Sequence, residues 1–543
     1  MFSEVGLALF SAVKHATLPR FKRTRLTLVM LLFAVLSVVV APSTSHAQTA
    51  VVDSRFGKML AQSKYGILSN TIANLYADGD SLWVGPYMNL TTNGGLSWSQ
   101  VESDSLFGSS NRMFSLDVSQ NLIVIGLGKN DRSTGDNIQT AAGFLVSEDG
   151  GSDFNFRFPQ LDQPADTTIV YGSNVLGALA VIVPQQSPPF DVSIDPLSHE
   201  IWVAGWASGI RRSSDFGRTW SRVVLPPDNL DFIHPDSTYS FRLEPQRGGS
   251  GSLNHMGFSV LVDRSGTIWA GTAGGVNRSK DEGSSWTRFK ADGTGGSLTG
   301  SWVISIEEQV NGSETTIWMA TWSTSGVAGE QFGITFTRDG GESFQQALRG
   351  ERIYDFAFDG LTVYAAGENG LFISRDGGSF WESVREFRDR TRTSRIVRPG
   401  SNVFSVEVTR SAVWVGTSDG LLRTTDGGFS WDLHRTEVPL HPTEPDDLVP
   451  NVDTFAYPNP FSPAADQFVR IRYELDTASN IDIRIFDFGM NLVRTVEDSA
   501  PSGISDTRWD GKGDDGARVA NGAYFYEVRA GGSRFRGKIL IIE

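Results

Sequence analysis

The chain has 543 residues, a formal net charge of −15 and no cysteine. This length exceeds one ordinary domain and is enough for a large core plus a second domain. The acidic balance argues against a nucleic acid partner, because phosphate backbones bind basic surfaces. The absence of cysteine excludes disulfides, thiolate metal sites and a cysteine nucleophile. The 58 glycines follow no collagen period and favour the many tight turns of an all-β fold.

The N-terminus has the pattern of an export signal. Four basic side chains between residues 20 and 25 precede the apolar run 26–42, and Ser45-His46-Ala47 supplies small residues at the cleavage positions. We therefore predict a signal peptide over residues 1–47 and a mature chain that begins near Gln48 and has no transmembrane span. The alternative is an uncleaved membrane anchor, for which the apolar run is slightly short.

One short phrase recurs seven times along the chain. Its fullest form is Ser213-Ser-Asp215-Phe-Gly217-Arg-Thr219-Trp220, in which a hydroxyl residue is followed by Asp, Gly and an aromatic residue. The central positions of the seven copies are Asn93, Asp149, Asp215, Asp281, Asp339, Asp376 and Asp426. Neighbouring central positions are 37 to 66 residues apart, and such a period indicates a repeat architecture. The shortest spacing fits one four-stranded propeller blade, and the longer ones require insertions.

Each phrase follows a short β-rich run that ends in a small residue. Examples are Ile201-Trp-Val-Ala-Gly205 and Val413-Trp-Val-Gly-Thr417, and such β-branched and aromatic residues are typical of buried strands. A second strand lies between this run and the phrase, a third opens at the final aromatic residue, and an apolar segment precedes the run. Four strands in each of seven units predict an all-β fold, with a seven-bladed β-propeller over residues 48–436.

The recurring phrase has the chemistry of a turn. An Asp at the start of a turn accepts hydrogen bonds from backbone N–H groups a few residues later, and glycine permits the positive φ that closes a hairpin. The phrase resembles the Asp-box (BNR) repeats of sialidases, sortilin-like receptors, xyloglucan-degrading propellers and photosystem-assembly propellers. The resemblance implies a folding element on the blade periphery, away from the ligand face. We therefore expect the seven central residues to be structural.

The C-terminal part has a different pattern. Residues 437–454 are rich in Pro and acidic residues, which predicts a linker. Segments 469–475 and 481–486 alternate with period two, as half-buried strands do. The apolar segments 522–528 and 538–542 follow a Gly- and Asp-rich cluster. We predict a small Ig-like β-sandwich over residues 455–543.

Several motifs of this tail occur in the order of a known domain. They are Tyr457-Pro-Asn-Pro-Phe461, Trp509-Asp-Gly511 and Gly522-Ala-Tyr-Phe-Tyr526. They resemble the C-terminal sorting domain of type IX secretion cargo, an Ig-like domain related to a module of the flagellar hook-capping protein. The resemblance implies a Gram-negative bacterium, the type IX secretion machinery as a partner of residues 455–543, and a secreted or outer-membrane surface location.

Sequence patterns for catalytic or metal chemistry are missing. The seven histidines form no zinc-binding spacing, and neither a nucleophile elbow nor a phosphate-binding loop occurs. Asp510, Asp514 and Asp515 suggest a calcium site, but they lack the EF-hand spacing, and Asp and Gly are preferred turn residues. We therefore predict no catalytic, metal-binding or cofactor-binding residue and no cofactor.

Long insertions fall between blades or between the second and third strands of a blade, at 127–143, 156–191, 222–256 and 322–333. These positions lie on the propeller face opposite the Asp-bearing turns, and long loops on a rigid scaffold commonly bind ligands. Three aromatic residues just past inner strands are placed to stack on a sugar or a protein partner there, namely Tyr87, Trp206 and Trp322. The alternative is that these rings complete the core between blades.

Three functions remain open from the sequence. The first is a secreted or cell-surface binding module that holds an extracellular protein or a glycan on the loop-rich face. The second is an extracellular glycoside hydrolase of the sialidase or xyloglucanase type. Phe156-Arg-Phe-Pro159 resembles an Arg-containing phrase near the start of sialidases, although here it follows the second box. A third hypothesis is an assembly factor that resembles the photosystem propellers.

Overall fold

The computed structural model describes residues 60–63, 66–101, 111–132, 135–324, 327–391, 393, 396–435, 453–457, 459–463 and 468–542. The expected signal peptide and most of the expected linker lie outside these residues. The described chain divides into two compact units. The first holds Asn70–Phe387 and Val397–Leu433, and the second holds Arg388–Ile396 and the chain from His434 onward. Within the described ranges, no helix has the length and hydropathy that a bilayer span requires.

The described residues form forty strands and one short 3-10 turn at Leu253–His255. The strands of the first unit are β1 Leu60–Ser63, β2 Leu75–Asp78, β3 Ser81–Val84, β4 Asn89–Thr91, β5 Trp98–Val101, β6 Arg112–Ser119, β7 Leu122–Asp131, β8 Ile138–Ser147, β9 Asn155–Arg157, β10 Thr168–Tyr171, β11 Asn174–Ala178, β12 Asp191–Ile194, β13 Ile201–Gly205, β14 Gly209–Ser213, β15 Ser221–Arg222, β16 Phe232–Ile233, β17 Arg242–Leu243, β18 Gly257–Val262, β19 Ile268–Thr272, β20 Gly275–Ser279, β21 Trp286–Phe289, β22 Trp302–Asn311, β23 Glu314–Trp322, β24 Gly333–Thr337, β25 Gln345–Ala347, β26 Ile353–Asp359, β27 Thr362–Gly367, β28 Gly370–Ser374, β29 Glu382–Val384, β30 Val403–Thr409, β31 Ala412–Thr417, β32 Gly420–Thr424 and β33 Asp432–His434.

These strands build seven sheets that follow one another along the chain. Each sheet is an antiparallel meander of four consecutive strands, and we number the sheets as blades: blade 1 is β2–β5, blade 2 is β6–β9, blade 3 is β12–β15, blade 4 is β18–β21, blade 5 is β22–β25, blade 6 is β26–β29 and blade 7 is β30–β33. Blade 1 gains β1 beside β5, and blade 4 gains β16 beside β21. The strands β10, β11 and β17 form a separate three-stranded sheet.

The seven blades close into a ring. The first strand of each blade packs against the first strand of the next, and β30 of blade 7 packs against β2 of blade 1. Blade 7 consists of four consecutive strands, so in the described part of the chain it borrows none from the N-terminus. Backbone hydrogen bonds join the two ends, from Arg410 N–H to the Gly79 carbonyl (3.0 Å) and from Ile72 N–H to the Thr417 carbonyl (2.9 Å). The prediction of a seven-bladed β-propeller is confirmed.

The aromatic residue that ends each recurring phrase packs against the preceding blade. Trp220 of blade 3 lies 4.8 Å from Phe144 of blade 2 between ring centroids, and Trp286 of blade 4 lies 6.4 Å from Trp202 of blade 3. At the ring closure, Trp98 of blade 1 meets Trp414 of blade 7 at 6.1 Å. Burial of these large rings supplies much of the hydrophobic stabilisation between blades.

The glycine two positions after the central Asp lies directly against the preceding blade in the turns of blades 5 and 6. A Cβ atom on Gly341 would lie 2.9 Å from Cη2 of Trp269, and one on Gly378 would lie 2.5 Å from Cη2 of Trp318. Both glycines also have positive φ, +88° and +97°. The turn therefore requires glycine here for its backbone conformation and for the close approach of a tryptophan.

The second unit contains a small β-sandwich. Its strands are β34 Thr454–Tyr457, β35 Val469–Leu475, β36 Ser479–Phe486, β37 Leu492–Ala500, β38 Gly503–Trp509, β39 Gly522–Ala530 and β40 Ser533–Ile541. One sheet has the order β34-β35-β38, and the other has the order β37-β36-β39-β40. The side chains between them form one buried cluster that includes Phe461, Tyr473 and Trp509. The prediction of a C-terminal β-sandwich is confirmed.

The insertions predicted as loops contain strands of their own. Over 127–143, β7 and β8 continue as a long hairpin that reaches Asp131 and Ile138. The insertions 156–191 and 222–256 contribute β10, β11 and β17 to the three-stranded sheet and β16 to blade 4. Strands of two to five residues carry too little periodicity to be distinguished from loops in a sequence.

The two adjacent glycines of the blade 5 phrase separate backbone strain from interblade packing. Gly340 has φ +67° with no atom within 4 Å of an added Cβ, whereas Gly341 faces Trp269. We expect Gly340→Ala to cost about 1–2 kcal/mol of unfolding free energy for the left-handed backbone alone. Gly341→Ala should cost about 2–5 kcal/mol, because overpacking against tryptophan adds to the same strain. Urea denaturation of the purified chain measures both, and equal costs would contradict this packing.

Candidate functional site

The seven recurring phrases form turns with one hydrogen-bond pattern. In every copy the leading Ser or Thr hydroxyl donates to Oδ1 of the central Asp or Asn, at 2.7–3.1 Å. The hydroxyl oxygen accepts the N–H of the glycine two positions after the central residue, at 2.7–3.1 Å. Oδ1 also accepts the N–H of the residue four positions on, at 2.8–3.0 Å. The central side chain is therefore bonded to its own turn.

The second carboxylate oxygen is also bonded within the turn in four copies. Oδ2 of Asp215, Asp281, Asp339 or Asp426 accepts a hydroxyl hydrogen bond at 2.5–2.6 Å. Burial opposes ionisation of Asp426, but the hydrogen bonds from Ser430 and Thr424 outweigh it and lower the pKa of this carboxyl to about 2. Asn93 keeps the turn with the polarity reversed, since its Nδ2 donates to Ser97 Oγ at 2.7 Å.

Arginines of one blade bind the turns of the next. Arg338 Nη2 of blade 5 donates to the Gly377 carbonyl of blade 6 at 2.6 Å, and Arg375 Nη2 of blade 6 donates to the Gly427 carbonyl of blade 7 at 2.9 Å. Equivalent hydrogen bonds run from Arg157 to Phe216, from Arg212 to Glu282 and from Arg278 to Gly340. In each case the acceptor is the residue after the central Asp. These hydrogen bonds link neighbouring blades on the face that carries the turns.

Replacement of Asp426 should destabilise blade 7 in a pH-dependent way. Its folded-state pKa of about 2 lies below the unfolded value near 3.9, so its contribution is present above about pH 4 and is lost as the pH falls through about 2. We expect Asp426→Ala to lower the unfolding free energy by roughly 1–2 kcal/mol at pH 7. Asp426→Asn should cost less, because Asn93 already closes a turn of this kind.

Thermal unfolding of the wild type and both variants from pH 7 to pH 2 measures this effect. The Tm difference between wild type and Asp426→Asn should shrink as the solution becomes more acidic. A difference that stays constant over that range would show that the carboxylate charge contributes nothing to the turn.

The opposite face is built around a layer of aromatic side chains. In an antiparallel meander the first strand begins at the end away from the Asp-bearing turns, and five of the seven first strands have a β-bulge there. The bulged residues, together with the residue before β12, are Phe114, Phe190, Phe258, Ile304, Tyr354 and Phe404. They pack into one cluster that also contains Trp322, Trp206 and Trp302.

Two of the three aromatic residues predicted for the ligand face are buried. Tyr87 is 3% exposed, and the Arg112 guanidinium lies 4.3 Å from its ring centroid. Trp322 is 1% exposed, and its indole N–H donates to the Ile353 carbonyl at 2.9 Å. For these two side chains the structure agrees with the alternative interpretation, in which they complete the core.

Trp206 is only partly buried and has a neighbour that the sequence analysis missed. Its ring lies 5.8 Å from that of Trp302, edge to face, and 5.0 Å from Phe258. Trp302 is also partly buried and lies 5.5 Å from Phe258. Two large rings therefore reach solvent side by side above a buried phenyl ring. We call Trp206, Phe258 and Trp302 the aromatic platform.

A sequence signal for this layer does exist. An aromatic residue followed by Ser or Asp opens the first strand in five blades, as in Phe114-Ser115, Phe258-Ser259 and Tyr354-Asp355. The Ser or Asp can then bond to the next blade. In blade 2, the Ser115 hydroxyl donates to the Pro189 carbonyl at 2.9 Å. An alignment of the seven first strands identifies the layer. The three aromatic candidates, in contrast, were chosen from the ends of the second strands.

Two carboxylates of the insertions cap backbone N–H groups. Glu330 accepts the N–H groups of Ser301 (2.6 Å) and Thr324 (2.9 Å). Asp228 accepts those of Leu253 (2.8 Å) and Asn254 (2.9 Å). Each carboxylate thereby orders a loop instead of standing free as a general acid or base.

The Gly- and Asp-rich cluster of the tail is a turn. Asp510 accepts the N–H of Lys512 at 3.1 Å, and Asp515 accepts that of Ala517 at 2.9 Å. Asp514 donates its own N–H to the Val493 carbonyl. Over the described ranges, no three His, Asp or Glu side chains converge in a way that could hold a metal ion.

Comparison with known proteins gives one family match, in the tail. Residues 463–533 match the family model described as the FlgD Ig-like domain. This match covers the greater part of the β-sandwich and a small share of the chain. No curated protein matches the chain.

Three solved structures illustrate what the chain is similar to. The GH74 enzyme of Niastella koreensis is 12% identical, with 89% of this chain and 75% of that one covered and a TM-score of 0.47. PorZ, a surface component of the type IX secretion system of Porphyromonas gingivalis, is 13% identical, with 87% and 75% covered and a TM-score of 0.25. YCF48 from Cyanidioschyzon merolae is 18% identical, with 58% and 95% covered and a TM-score of 0.27.

Proposed function

We propose that the protein is a secreted or cell-surface propeller that binds an extracellular protein or a glycan and performs no chemistry. The observation that carries the proposal is the aromatic platform, where Trp206 and Trp302 lie 5.8 Å apart and both reach solvent. Paired tryptophans at a surface offer a rigid apolar area, which suits sugar rings and protein hot spots alike.

The asymmetry between the two propeller faces supports this location. On one face the recurring turns, which we propose are Asp-box repeats, have their polar groups bonded within the turn or to the preceding blade. On the other face lies the platform, and the long insertions begin there; one of them also reaches the turn of blade 4, where the Tyr171 hydroxyl donates to the Ser284 carbonyl at 2.8 Å. Binding at that face leaves the contacts between blades intact, so its loops are free to vary without loss of the ring.

The hydrolase alternative requires two carboxylates that are free to act as acid and base or nucleophile. Glu330 and Asp228 of the insertions are committed to backbone N–H groups. Arg157, from the phrase that resembles a sialidase motif, donates to the Phe216 carbonyl of the next turn. These assignments favour binding over hydrolysis, and turnover of a glycoside in the experiment below would reverse that preference.

Substitution of one platform tryptophan should weaken ligand binding while the fold persists. We expect Trp206→Ala to weaken binding by about 2 kcal/mol or more, roughly 30-fold in Kd, as for an aromatic hot spot. Phe429→Ala is the matched control, because Phe429 is an aromatic residue in a turn on the opposite face and is 79% exposed. The full chain is screened on glycan arrays, against extracellular proteins and with fluorogenic glycosides.

Weakened binding in Trp206→Ala with binding kept in Phe429→Ala is the expected result. Equal binding by the two variants, or no ligand in either screen, would overturn the proposed site. Release of the fluorophore from a glycoside would establish the hydrolase instead.

We further propose that residues 455–543 are a sorting domain for a type IX secretion system of a Gram-negative bacterium. The support is the order of its motifs and the observed β-sandwich with Phe461 and Trp509 in its core. Its fold is separate from the propeller core, since the two belong to different compact units. A separate unit can be recognised by the secretion machinery without altering the binding face.

Deletion of residues 455–543 should leave the protein in the periplasm of a bacterium that has this secretion system. Cell fractionation and immunoblotting measure the location, and circular dichroism of the purified remainder checks that the propeller still folds. A variant with Trp206→Ala in the intact chain serves as the export control and should reach the surface. Normal export of the deleted chain would contradict the sorting role.

A further inference from the structure

One face of the C-terminal β-sandwich is turned away from its core. Ile483 of β36 and Tyr526 of β39 point into the core, so the residues that alternate with them lie on the outer face of the sheet β37-β36-β39-β40. The strand register places Phe486 of β36 beside Leu492 of β37 and beside Phe525 of β39. Apolar side chains thus adjoin across three strands at one end of this outer face.

In the described part of the sandwich, the large apolar side chains that are exposed all lie at this same end. They are Phe488 (80%), Met490 (63%), Leu492 (52%), Leu540 (40%) and Ile542 (50%). The ring of Phe488 also contacts that of Phe525, with 6.4 Å between the centroids. We call Phe486, Phe488, Met490, Leu492, Phe525 and Leu540 the tail patch. Exposed apolar patches of this kind mark sites that contact a protein or a membrane.

The loop between β36 and β37 is fixed by its own hydrogen bonds. Asp487 Oδ1 accepts the Asn491 N–H at 2.8 Å, and Oδ2 accepts the side-chain amide of Asn491 at 2.9 Å. The Met490 N–H donates to the Asp487 carbonyl at 3.0 Å. Met490 has φ +63°, a left-handed conformation that is unfavourable for a residue with a Cβ. The loop therefore holds Phe488 and Met490 out from the sheet.

Basic side chains flank the tail patch on the same face. The register puts Lys538 beside Phe525, and it puts Arg536 and Arg484 on the two sides of Glu527, in the next row of side chains. Arg536 binds Glu527 at 2.7 Å, yet its side chain is 72% exposed. Lys538 is exposed and forms no ion pair within the described residues. Positive charge thus lies beside the exposed apolar side chains, in a chain whose overall charge is −15.

We propose that the tail patch docks the C-terminal β-sandwich onto a bilayer that contains anionic phospholipids. Phe488, Met490 and Leu492 enter the boundary between headgroups and acyl chains, and the neighbouring basic side chains lie against the phosphate groups. The inference goes beyond the proposed function and is independent of the aromatic platform and of the sorting role.

A bilayer fits this surface better than a protein does. The exposed side chains are purely apolar and protrude from a loop, whereas hot spots between proteins favour Trp, Tyr and Arg in well-packed pockets. The charge beside them matches an anionic lipid surface, which attracts exposed Lys and Arg side chains.

Sedimentation of the full chain with vesicles tests the proposal. One vesicle contains phosphatidylethanolamine and phosphatidylglycerol in equal parts, and the other contains phosphatidylcholine alone. We expect binding to the first vesicle, weakened by added salt because exposed charges are screened, and binding to the second that is weaker by about tenfold or more. Equal binding to the two vesicles, or binding to neither, would overturn the proposal.

Two substitutions with matched controls assign the binding to the tail patch. Phe488→Asp should weaken vesicle binding about tenfold or more, whereas Phe158→Asp, at a propeller phenylalanine that is also 80% exposed, should bind as the wild type does. Lys538→Gln should weaken binding about fivefold at low salt, whereas Arg247→Gln, at an exposed propeller arginine, should not. Thermal unfolding checks that each variant folds.

Unchanged vesicle binding by Phe488→Asp or by Lys538→Gln would overturn the proposal. Loss of export in Phe488→Asp, together with a wild type that binds neither vesicle, would also overturn it, because that pattern identifies a protein as the partner of the tail patch.

Discussion

The structure depends on the contact between each recurring turn and the blade before it. In three turns the glycine two positions after the central Asp lies against a tryptophan of the preceding second strand: Gly283 against Trp202, Gly341 against Trp269 and Gly378 against Trp318. The aromatic residue that ends the turn packs on the same blade, and an arginine from that blade binds the turn carbonyl. Apolar burial, close packing and a hydrogen bond thus act at a single junction.

This junction explains how the ring closes without a shared strand. Many closed rings need one strand from the first blade to complete the last, but here blade 7 is built from consecutive strands. Blade 1 meets it through Trp98 and Trp414, which repeats the packing used between other neighbours. The insertions around blade 3 add to one of these interfaces, since Tyr171 and Ile233 join the buried cluster of Trp202 and Trp286 between blades 3 and 4. The aromatic platform lies beside the insertion 156–191, where the Ala207 N–H donates to the Gln186 carbonyl at 2.8 Å.

Much of the fold could be predicted from the sequence because the same pattern of strands and turn recurs seven times. The phrase around Asp281 and the run around Trp269 fix the turn, the buried strand and the unit length. Whether a single aromatic side chain is buried or exposed could not be predicted in the same way. Tyr87, Trp206 and Trp322 follow equivalent strands, yet only Trp206 reaches solvent, because exposure depends on what the neighbouring blade supplies.

The β-bulges also made the aromatic layer hard to predict from the sequence. A bulge shifts the side-chain alternation by one residue, so the period-two rule assigns Phe258 or Tyr354 to the wrong face. The buried ion pairs of Asp162 with Arg211 and Arg222 were beyond sequence reasoning for another reason: the two arginines lie about 50 and 60 residues away in the chain, and nothing local in either segment signals that they meet. Long-range charge pairs of this kind emerge only from the folded insertions.

A double-mutant cycle between Trp318 and Gly378 tests the junction most directly. Trp318→Phe removes the ring atoms that an added Cβ on Gly378 would meet at 2.5 and 3.3 Å while an aromatic core residue is kept. The account predicts that Gly378→Ala is less destabilising in the Trp318→Phe background than in the wild type, with a coupling free energy of about 1 kcal/mol or more. Additive free energies of unfolding, within about 0.3 kcal/mol, would contradict it.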